Sequence, residues 1–366
     1  MKEEEKLVLR HLRVHGPTSR SGLTSAVSIS STKLTIISRG LLELGFIEEV
    51  LLQDERGRGR PAVPLRLSRQ GGYAFGATVH KGVLEIALLA YNGDVIDLEA
   101  HEFSHSDPVE FGEFVRPKMH ELAGKHRLLA SRLLGVGISV PGPAMSSDLD
   151  RWWTVDELIG WRGIPLRKFM EDALGIPVWI GNDANLAALA EFYLGGLNRF
   201  CRTAIVILLG YGVGAGIIVD GNILQGETGA MGEIGVLYPN QEPRPTTLDL
   251  LATLKSAGIQ INSVAEIEAM SDASRYVLGR WISRAAGQLV PLIKNGFAWF
   301  DPGAIVISSP LPAEILQQLA GTLNGMEMFQ QRPSWARAPH VTVSKLGGSA
   351  STFGAALLPI HAVAQL

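Results

Sequence analysis

The 366-residue sequence predicts an α/β protein with a small helical domain at its N-terminus and a larger body made of two similar halves. The composition, 46% hydrophobic and 19% charged, suits a chain that buries several cores. Residues 1–70 show helical periodicity followed by the pattern of two short strands. Beyond Gly72 the predicted order strand-strand-strand-helix-strand-helix occurs twice. The predicted domains are residues 1–70, 71–196 and 197–366, with the last helix returning toward the hinge between two lobes.

The composition also excludes several classes of protein. No stretch of about 18 residues is both apolar and uncharged, which argues against a membrane-spanning helix. The first residues are charged and periodic, unlike a secretory signal or a transit peptide. One cysteine, Cys201, precludes an intramolecular disulfide and a cysteine-rich metal cluster. We therefore expect a cytoplasmic protein with a reduced, buried thiol.

Charge is unevenly distributed along the chain. Residues 1–69 contain 12 Lys and Arg against 8 Asp and Glu, a net charge of +4 within a chain whose total is −3. A basic N-terminal domain on an acidic body predicts that only this domain binds a polyanion. Ordinary variation in surface charge is the alternative.

The sequence of the N-terminal domain, here called the head, predicts three short helices. The first covers about residues 6–14, the second about 19–27 and the third about 31–44, with Gly16-Pro17 ending the first helix and Gly45 ending the third. Two strands follow, joined by a loop rich in Gly and Arg. Three helices followed by a β-hairpin are typical of the winged helix-turn-helix domain.

The third helix of such a domain can enter the major groove of DNA, while the loop between the strands contacts the backbone or the minor groove. The loop arginines are Arg56, Arg58 and Arg60. On the third helix, the outward side chains predicted by periodicity are Ser31, Thr32, Lys33, Thr35, Ser38 and Arg39. The alternative is a protein-interaction module whose arginines are merely solvated.

Four segments of the chain resemble the ROK family, which groups bacterial sugar kinases with repressors of sugar-utilisation genes. They are GRGRPAVPLRL at 57–67, VPGPA at 140–144, GNDANLAALAE at 181–191 and the long glycine-patterned block at 208–235. The resemblance implies the duplicated, two-lobed actin-like ATPase/sugar-kinase fold, which is ribonuclease-H-like. In this family only the repressors carry the winged head.

The resemblance also implies an effector pocket. Asp183 matches the catalytic base of the kinases, Asn182 a residue that hydrogen-bonds sugar hydroxyls, and Glu233 an acceptor for such hydroxyls. Asp249 falls where the family has a glutamate. A turn and helix cap is the structural alternative for Asn182 and Asp183. Three tryptophans could stack on a sugar, although packing is the expected role for at least two of them: Trp152, Trp153 and Trp161.

The elements that would bind nucleotide and zinc differ from the family pattern. Kinases of the family carry D-x-G-G-T where this chain has Gly76–Lys81, and a glycine pair where it has Ser308-Ser309-Pro310. The glycine loop at 210–216 remains, but it can also serve as a tight hairpin. Val236 replaces the zinc-binding histidine, and residues 238–251 contain no cysteine. We therefore expect no kinase activity, no metal and no cofactor.

These observations predict a DNA-binding transcriptional regulator, a repressor of carbohydrate-utilisation genes that senses a sugar-like effector in the cleft of a kinase-like body. A homodimer, or a dimer of dimers, would place two recognition helices about one helical turn apart on a double-stranded DNA operator. One alternative is an ATP-dependent, hexokinase-like sugar kinase with an appended regulatory head. The other is a body that binds nothing and serves only for dimerisation.

Overall fold

The head consists of three helices and a two-stranded antiparallel ribbon in the computed structural model, which describes residues 1–50, 63–80, 82–104, 106–147, 149–239, 242–261, 263–269, 272–327 and 340–364. The elements are α1 (Glu3–His15), α2 (Arg20–Val27), α3 (Ser31–Glu43), β1 (Ile47–Glu49) and β2 (Leu65–Leu67). The predicted elements of the head are thus all present.

Serine caps fix where the second and third helices begin. The Ser19 Oγ accepts from the Gly22 backbone N–H at 3.1 Å, and the Ser30 Oγ accepts from the Lys33 N–H at 3.4 Å. Gly45 follows α3 with a φ of 74°, a conformation that favours glycine. Apolar side chains from all three helices and the ribbon fill a small core: Leu9, Leu12, Leu23, Leu34, Leu41 and Leu65.

The first body sheet has the strand order β5-β4-β3-β6-β7. Its strands are β3 (Tyr73–His80), β4 (Val83–Ala90), β5 (Val95–Glu102), β6 (Leu133–Val140) and β7 (Val178–Asn182), with α4 (Pro108–Lys125) and α5 (Leu166–Leu174) between them in sequence. The β3-β4-β5 segment is antiparallel, as the Asn92-Gly93 turn predicts, and β3 pairs with β6 in parallel.

The second body sheet repeats this order as β10-β9-β8-β11-β12. Its strands are β8 (Thr203–Leu209), β9 (Val213–Val219), β10 (Asn222–Ile223), β11 (Ala304–Ser308) and β12 (Val341–Val343). The helices of this half are α6 (Asp183–Tyr193), α7 (Thr247–Ser256), α8 (Asp272–Phe300) and α9 (Ala313–Gly325), and α10 (Ala350–Ala362) closes the chain. The two sheets share one strand order, so the predicted duplication is confirmed.

The chain divides into two units that do not follow the predicted domain limits. The first unit contains residues 1–140, 148–181 and 352–366, and the second contains 141–147 and 182–351. The head therefore clusters with the first sheet. Two helices differ from the predicted assignment: α6 lies in the second unit, and α10 lies in the first unit from Thr352 onward.

Contacts between the head and the first sheet explain that grouping. The Arg13 guanidinium lies 4.8 Å from the ring centroid of Tyr91 and donates to the Tyr91 carbonyl at 3.2 Å. Phe46 meets the same Tyr91 ring edge to face, and Arg132 lies over Phe46. No described helix is both long and apolar enough to cross a bilayer.

Candidate functional sites

Asn182 organises the predicted effector site, which lies within the second unit. It follows the buried Ile180 of β7 and is itself the N-cap of α6, since its Oδ1 accepts from the Asn185 N–H at 3.1 Å. Its Nδ2 donates to the Gly142 carbonyl at 3.1 Å and to Glu233 Oε1 at 3.2 Å. The amide therefore links the VPGPA segment, the GNDAN segment and the GEIG segment.

Asp183 is the first residue of α6 and lies beside that amide. Its Oδ1 accepts from the Ala184 N–H at 2.8 Å, and its backbone carbonyl accepts from Ser351 Oγ at 2.9 Å. The residue as a whole is partly exposed, whereas its carboxyl group is buried. The carboxylate of Asp183 is thus held by backbone N–H groups at the start of α6.

A glycine turn presents Glu233 to this site. The Ala215 N–H of β9 donates to the Gly232 carbonyl at 2.8 Å. Gly232 has a φ of 89°, and a Cβ there would lie 1.8 Å from the Ala215 carbonyl oxygen. Only glycine fits this close approach, so the Gly-Glu pair fixes the position of the carboxylate.

Burial sets the protonation of the two acids. It raises the pKa of Asp183 to about 6, against the lowering effect of the N–H groups at the start of α6. Burial also raises the pKa of Glu233 to about 7, and the neighbouring Asp183 charge raises it further. Near neutral pH the pair therefore carries less than its full negative charge.

The site combines one amide with two carboxyl groups, a set suited to a polyhydroxylated ligand. Ionised carboxylates accept hydrogen bonds from hydroxyl groups, and each can accept several at once. A neutral ligand that donates such bonds would lower the cost of desolvating the two acids. A ligand carrying a phosphate would be repelled by the same charges.

Asp249 is engaged elsewhere in the second unit. From α7 its Oδ2 accepts from Trp281 Nε1 at 2.8 Å and forms an ion pair with Arg284, both on α8. Its backbone N–H donates to the Thr246 Oγ at 3.2 Å. These contacts of Asp249 join α7 to α8, and none of them involves Asn182 or Glu233.

The three tryptophans divide into two buried side chains and one exposed side chain. Trp152 and Trp161 belong to the core of the first unit, and Trp161 meets Phe111 edge to face with ring centroids 4.8 Å apart. Trp153 is exposed, with the Arg162 guanidinium 5.1 Å from its ring centroid. The packing expected for at least two of them is confirmed.

The glycine loop at 210–216 is a hairpin between β8 and β9. Cβ atoms at Gly214 and Gly216 would lie 2.9 Å and 2.5 Å from the methyl groups of Ala184 and Ala188 on α6. These two glycines are therefore explained by helix packing. Gly210 and Gly212 have open space around them.

The strand end expected near the adenosine of a kinase is filled by protein. Ser308 and Ser309 are fully buried, and Ser309 Oγ donates to the Leu209 carbonyl at 2.6 Å. Pro310 packs against Gly348, where an added Cβ would lie 2.9 Å from the proline ring. The chain at Pro310 and the chain at Gly348 are thus already in close contact.

A polar row crosses three strands of the first sheet where kinases carry the D-x-G-G-T loop. Thr78 of β3 is paired with Glu85 of β4 on one side and with Ser139 of β6 on the other. Glu85 accepts from Thr352 Oγ1 on α10 at 2.7 Å. Burial lowers the pKa of the His80 imidazole, an effect that the Glu85 charge opposes. A carboxylate thus lies on β4 beside the segment that replaces the D-x-G-G-T loop.

In the head, five of the six predicted outward residues of α3 are exposed: Ser31, Thr32, Lys33, Thr35 and Arg39. The prediction for Ser38 is wrong. This residue is buried and its Oγ donates to the Thr35 carbonyl at 3.2 Å, so its hydroxyl is satisfied within the helix. Lys33 forms an ion pair with Glu4 of α1 at 2.5 Å. The loop residues Arg56, Arg58 and Arg60 lie outside the described residues.

Two contributors to these sites were not found from the sequence. The Gly142 carbonyl, which accepts from Asn182, carries no side-chain signal. Ile36 is a large apolar residue on the exposed face of α3. Its position outside the Leu34-Ile37-Leu41 stripe was available from helical periodicity.

Comparisons with known proteins agree with these features. A family model described as ROK family matches residues 77–362. A protein called y4fQ from Sinorhizobium fredii is 30% identical over 349 residues, which cover 93% of this chain and 84% of that protein. The DNA-binding transcriptional repressor Mlc of Escherichia coli is 26% identical over 222 residues, covering 60% of this chain and 54% of the repressor.

Solved structures show the same fold. A ROK family transcriptional regulator, a homologue of the E. coli Mlc protein, superposes with a TM-score of 0.72 at 20% identity over 99% of this chain and 96% of its own. A ROK family glucokinase from Streptomyces griseus, solved with glucose and AMPPNP, gives 0.61 at 18% identity over 78% of this chain and 99% of its own. Relatives thus include regulators and kinases. The family model covers most of the sequence, and this chain belongs to the ROK family.

Proposed function

We propose that this protein is a DNA-binding transcriptional regulator, a repressor of carbohydrate-utilisation genes whose body binds a sugar-like effector. The observation that carries the proposal is the exposed face of α3, which bears Lys33 and Arg39 on a domain of three helices and a ribbon. In a winged helix-turn-helix domain the third helix enters the major groove, and small polar or basic side chains reach bases and phosphates.

The cluster of Asn182, Asp183 and Glu233 supports binding of the effector. The three side chains lie together within the second unit, and Asp183 and Glu233 are each only partly buried as residues. An effector with several hydroxyl groups matches these acceptors. Asp249 remains part of the proposed site only as a residue that the family resemblance assigns.

The polar row at Thr78 argues against ATP-dependent phosphoryl transfer. Transfer needs donors and a metal around the phosphates. Here Glu85 brings negative charge next to the segment that replaces the phosphate loop, and Pro310 follows the strand end expected near the adenosine. A triphosphate approaching Glu85 would meet repulsion between like charges.

Binding to DNA selected from genomic fragments tests the regulator proposal. We expect that Lys33→Ala and Arg39→Ala each weaken binding and reduce the slope of log affinity against log salt by about one. Arg116→Ala, at an exposed arginine on α4, is the matched control and should leave affinity unchanged. Failure to bind any fragment, or equal effects of all three substitutions, would contradict the proposal.

A sugar kinase with an appended head is the second candidate, and one observation favours it. The pKa of Asp183 is raised to about 6, which suits a group that takes a proton from a sugar hydroxyl near neutral pH. A coupled assay with ATP, Mg²⁺ and a panel of hexoses separates the candidates. Turnover that Asp183→Asn abolishes would establish the kinase.

A further inference from the structure

Ile36 is an exposed apolar side chain in the middle of α3. Its side chain is 67% exposed, whereas the other large apolar residues of the first two turns, Leu34 and Ile37, are buried in the head. Leaving an isoleucine in water forgoes the stabilisation that its burial would provide. Its position on the face that carries Lys33 and Arg39 makes it available to a partner that binds this face.

The polar groups beside Ile36 are partly engaged within the head. Thr35 Oγ1 donates to the Ser31 carbonyl at 2.8 Å, so its hydroxyl has no proton left for a base. Lys33 is paired with Glu4 of α1 at 2.5 Å. The centre of the face thus presents an isoleucine and a threonine, and the longest basic side chains stand three residues to either side.

The chemistry of the major groove supplies one apolar feature that fits this face. Each base pair presents hydrogen-bond donors and acceptors there, but only thymine adds a methyl group, at C5. The flanking Lys33 and Arg39 are complementary to phosphates on the two sides of the groove. An apolar side chain between two cations matches a thymine methyl between two phosphate backbones.

We propose that Ile36 reads thymine through its 5-methyl group and is a determinant of operator sequence. This inference rests on the proposed function, because it requires α3 to enter the major groove. Such a contact distinguishes thymine from the other bases in a different way from an arginine or an asparagine, which forms hydrogen bonds with a base edge. It depends on one methyl group of the DNA and carries no hydrogen bond.

Replacement of single thymines by deoxyuridine tests the contact, because deoxyuridine pairs identically but lacks the methyl group. The probe is a duplex that the full-length protein selects from a random library, with each thymine changed in turn. For the wild-type protein we expect about a fourfold loss of affinity at one thymine per half-site, which corresponds to the burial of one methyl group. Ile36→Ala should bind the unmodified duplex more weakly and should show no loss at that thymine.

Ile159→Ala is the matched control, since Ile159 is also an exposed isoleucine of the first unit and lies outside the head. It should retain the wild-type response to deoxyuridine. Circular dichroism and melting temperature confirm that Ile36→Ala folds, and Ile36→Val should keep part of the discrimination.

The possible results separate this inference from the proposed function. If no duplex is selected, the regulator proposal fails, and this inference with it. If a duplex binds but no thymine responds, or Ile36→Ala responds as the wild type does, the role of Ile36 is overturned while DNA binding stands. If Ile36→Ala instead dissociates an oligomer in sedimentation, a second copy covers the side chain and the inference is wrong.

Discussion

Glu4 pairs with one of the side chains that we propose to bind DNA. Its carboxylate pairs with Lys33, and the pairing lowers the pKa of Glu4 below its ordinary value. When a phosphate replaces the carboxylate as the partner of Lys33, the ion pair has to break. The exposed pair itself contributes little to folding.

We expect Glu4→Gln to strengthen DNA binding by about two- to tenfold at low salt, because Lys33 is released and one negative charge is removed near the phosphates. The gain should shrink as salt is raised. Fluorescence anisotropy with a selected duplex measures it. Glu121→Gln, which breaks a comparable exposed pair with Lys118 on α4, is the control. Equal or weaker binding by Glu4→Gln would show that α1 faces away from the DNA.

The two acids of the proposed effector site, Asp183 and Glu233, affect the stability of the folded protein. Because burial raises the pKa of Asp183 to about 6 and that of Glu233 to about 7, the folded protein favours their protonated forms. Their stabilising contribution is complete below the ordinary carboxyl pKa of about 4 and is lost as the pH rises through these raised values.

We therefore expect the free energy of unfolding to fall between about pH 4 and pH 7, with Asp183 contributing on the order of 3 kcal/mol to that fall. The double variant Asp183→Asn, Glu233→Gln should show a flatter profile in denaturant titrations at several pH values. Glu113→Gln, at an exposed position on α4, should keep the wild-type slope. An unchanged slope in the double variant would mean that other groups dominate the pH dependence.

At the scale of elements, α10 packs on the first sheet through two glycines. A Cβ at Gly137 on β6 would lie 1.9 Å from the Ala355 carbonyl oxygen, and one at Gly76 on β3 would lie 2.1 Å from the Thr352 carbonyl oxygen. Both obstructing atoms belong to the helix backbone, which cannot move aside as a flexible side chain can. The helix and the strands therefore have to separate when a methyl group is added.

We expect Gly137→Ala to lower the free energy of unfolding by about 3 kcal/mol or more. Gly321→Ala on α9 has no atom within 4 Å of the added Cβ and should stabilise by about 0.5–1 kcal/mol, as alanine does in a helix. Urea titration compares the two variants. A Gly137→Ala variant as stable as the wild type would contradict the tight packing of α10.

The elements were predictable because each has a local signal. Alternation and apolar runs located the strands of both sheets, and the strand order repeated as the element order implies. Contacts between distant residues were not predictable. Glu85 and Thr352 are 267 positions apart, and nothing local indicates their hydrogen bond.

In the candidate site, too, residues with a local sequence signal were predictable and contacts between distant residues were not. The GNDAN and GEIG segments identified Asn182 and Glu233, which do meet. Asp249 was assigned by alignment across a shortened segment, and such an alignment carries no information about Trp281 and Arg284, which bind it. The burial of Ser38 was missed because serine has no hydrophobic signal, although it can satisfy its hydroxyl on the preceding turn.

At the scale of the whole molecule, the effector residues adjoin places where the chain passes from one unit to the other. The chain enters the second unit at Pro141 and again at Asn182, so Gly142 and Asn182 lie at these two entry points. Ser351 is the last residue before the chain returns to the first unit. Hydrogen bonds within the second unit join these positions: Asn182 to Gly142, and Ser351 to the Asp183 carbonyl. A ligand bound to Asn182 would therefore lie next to residues at which the chain leaves one unit for the other.

This placement predicts thermodynamic coupling between effector and DNA. A sugar that raises the melting temperature in a panel of sugars, sugar phosphates and polyols binds the native state, and we expect the hits to be unphosphorylated. If such a sugar lowers the affinity for DNA by about tenfold, DNA must lower the affinity for the sugar by the same factor. Titration of each ligand in the presence and absence of the other measures both factors.

Asn182→Asp tests whether the coupling passes through this site. The substitution keeps an acceptor that can cap α6 but removes the donor to Gly142 and Glu233, and it adds a third acid to the cluster. We expect sugar binding to weaken at least tenfold and DNA affinity without sugar to stay within about twofold of the wild type. Asn198→Asp, outside the cluster, should preserve both affinities and their coupling. If Asn182→Asp binds the sugar normally, the sugar binds outside this cluster. If no member of the panel stabilises the protein, the body acts as a dimerisation scaffold.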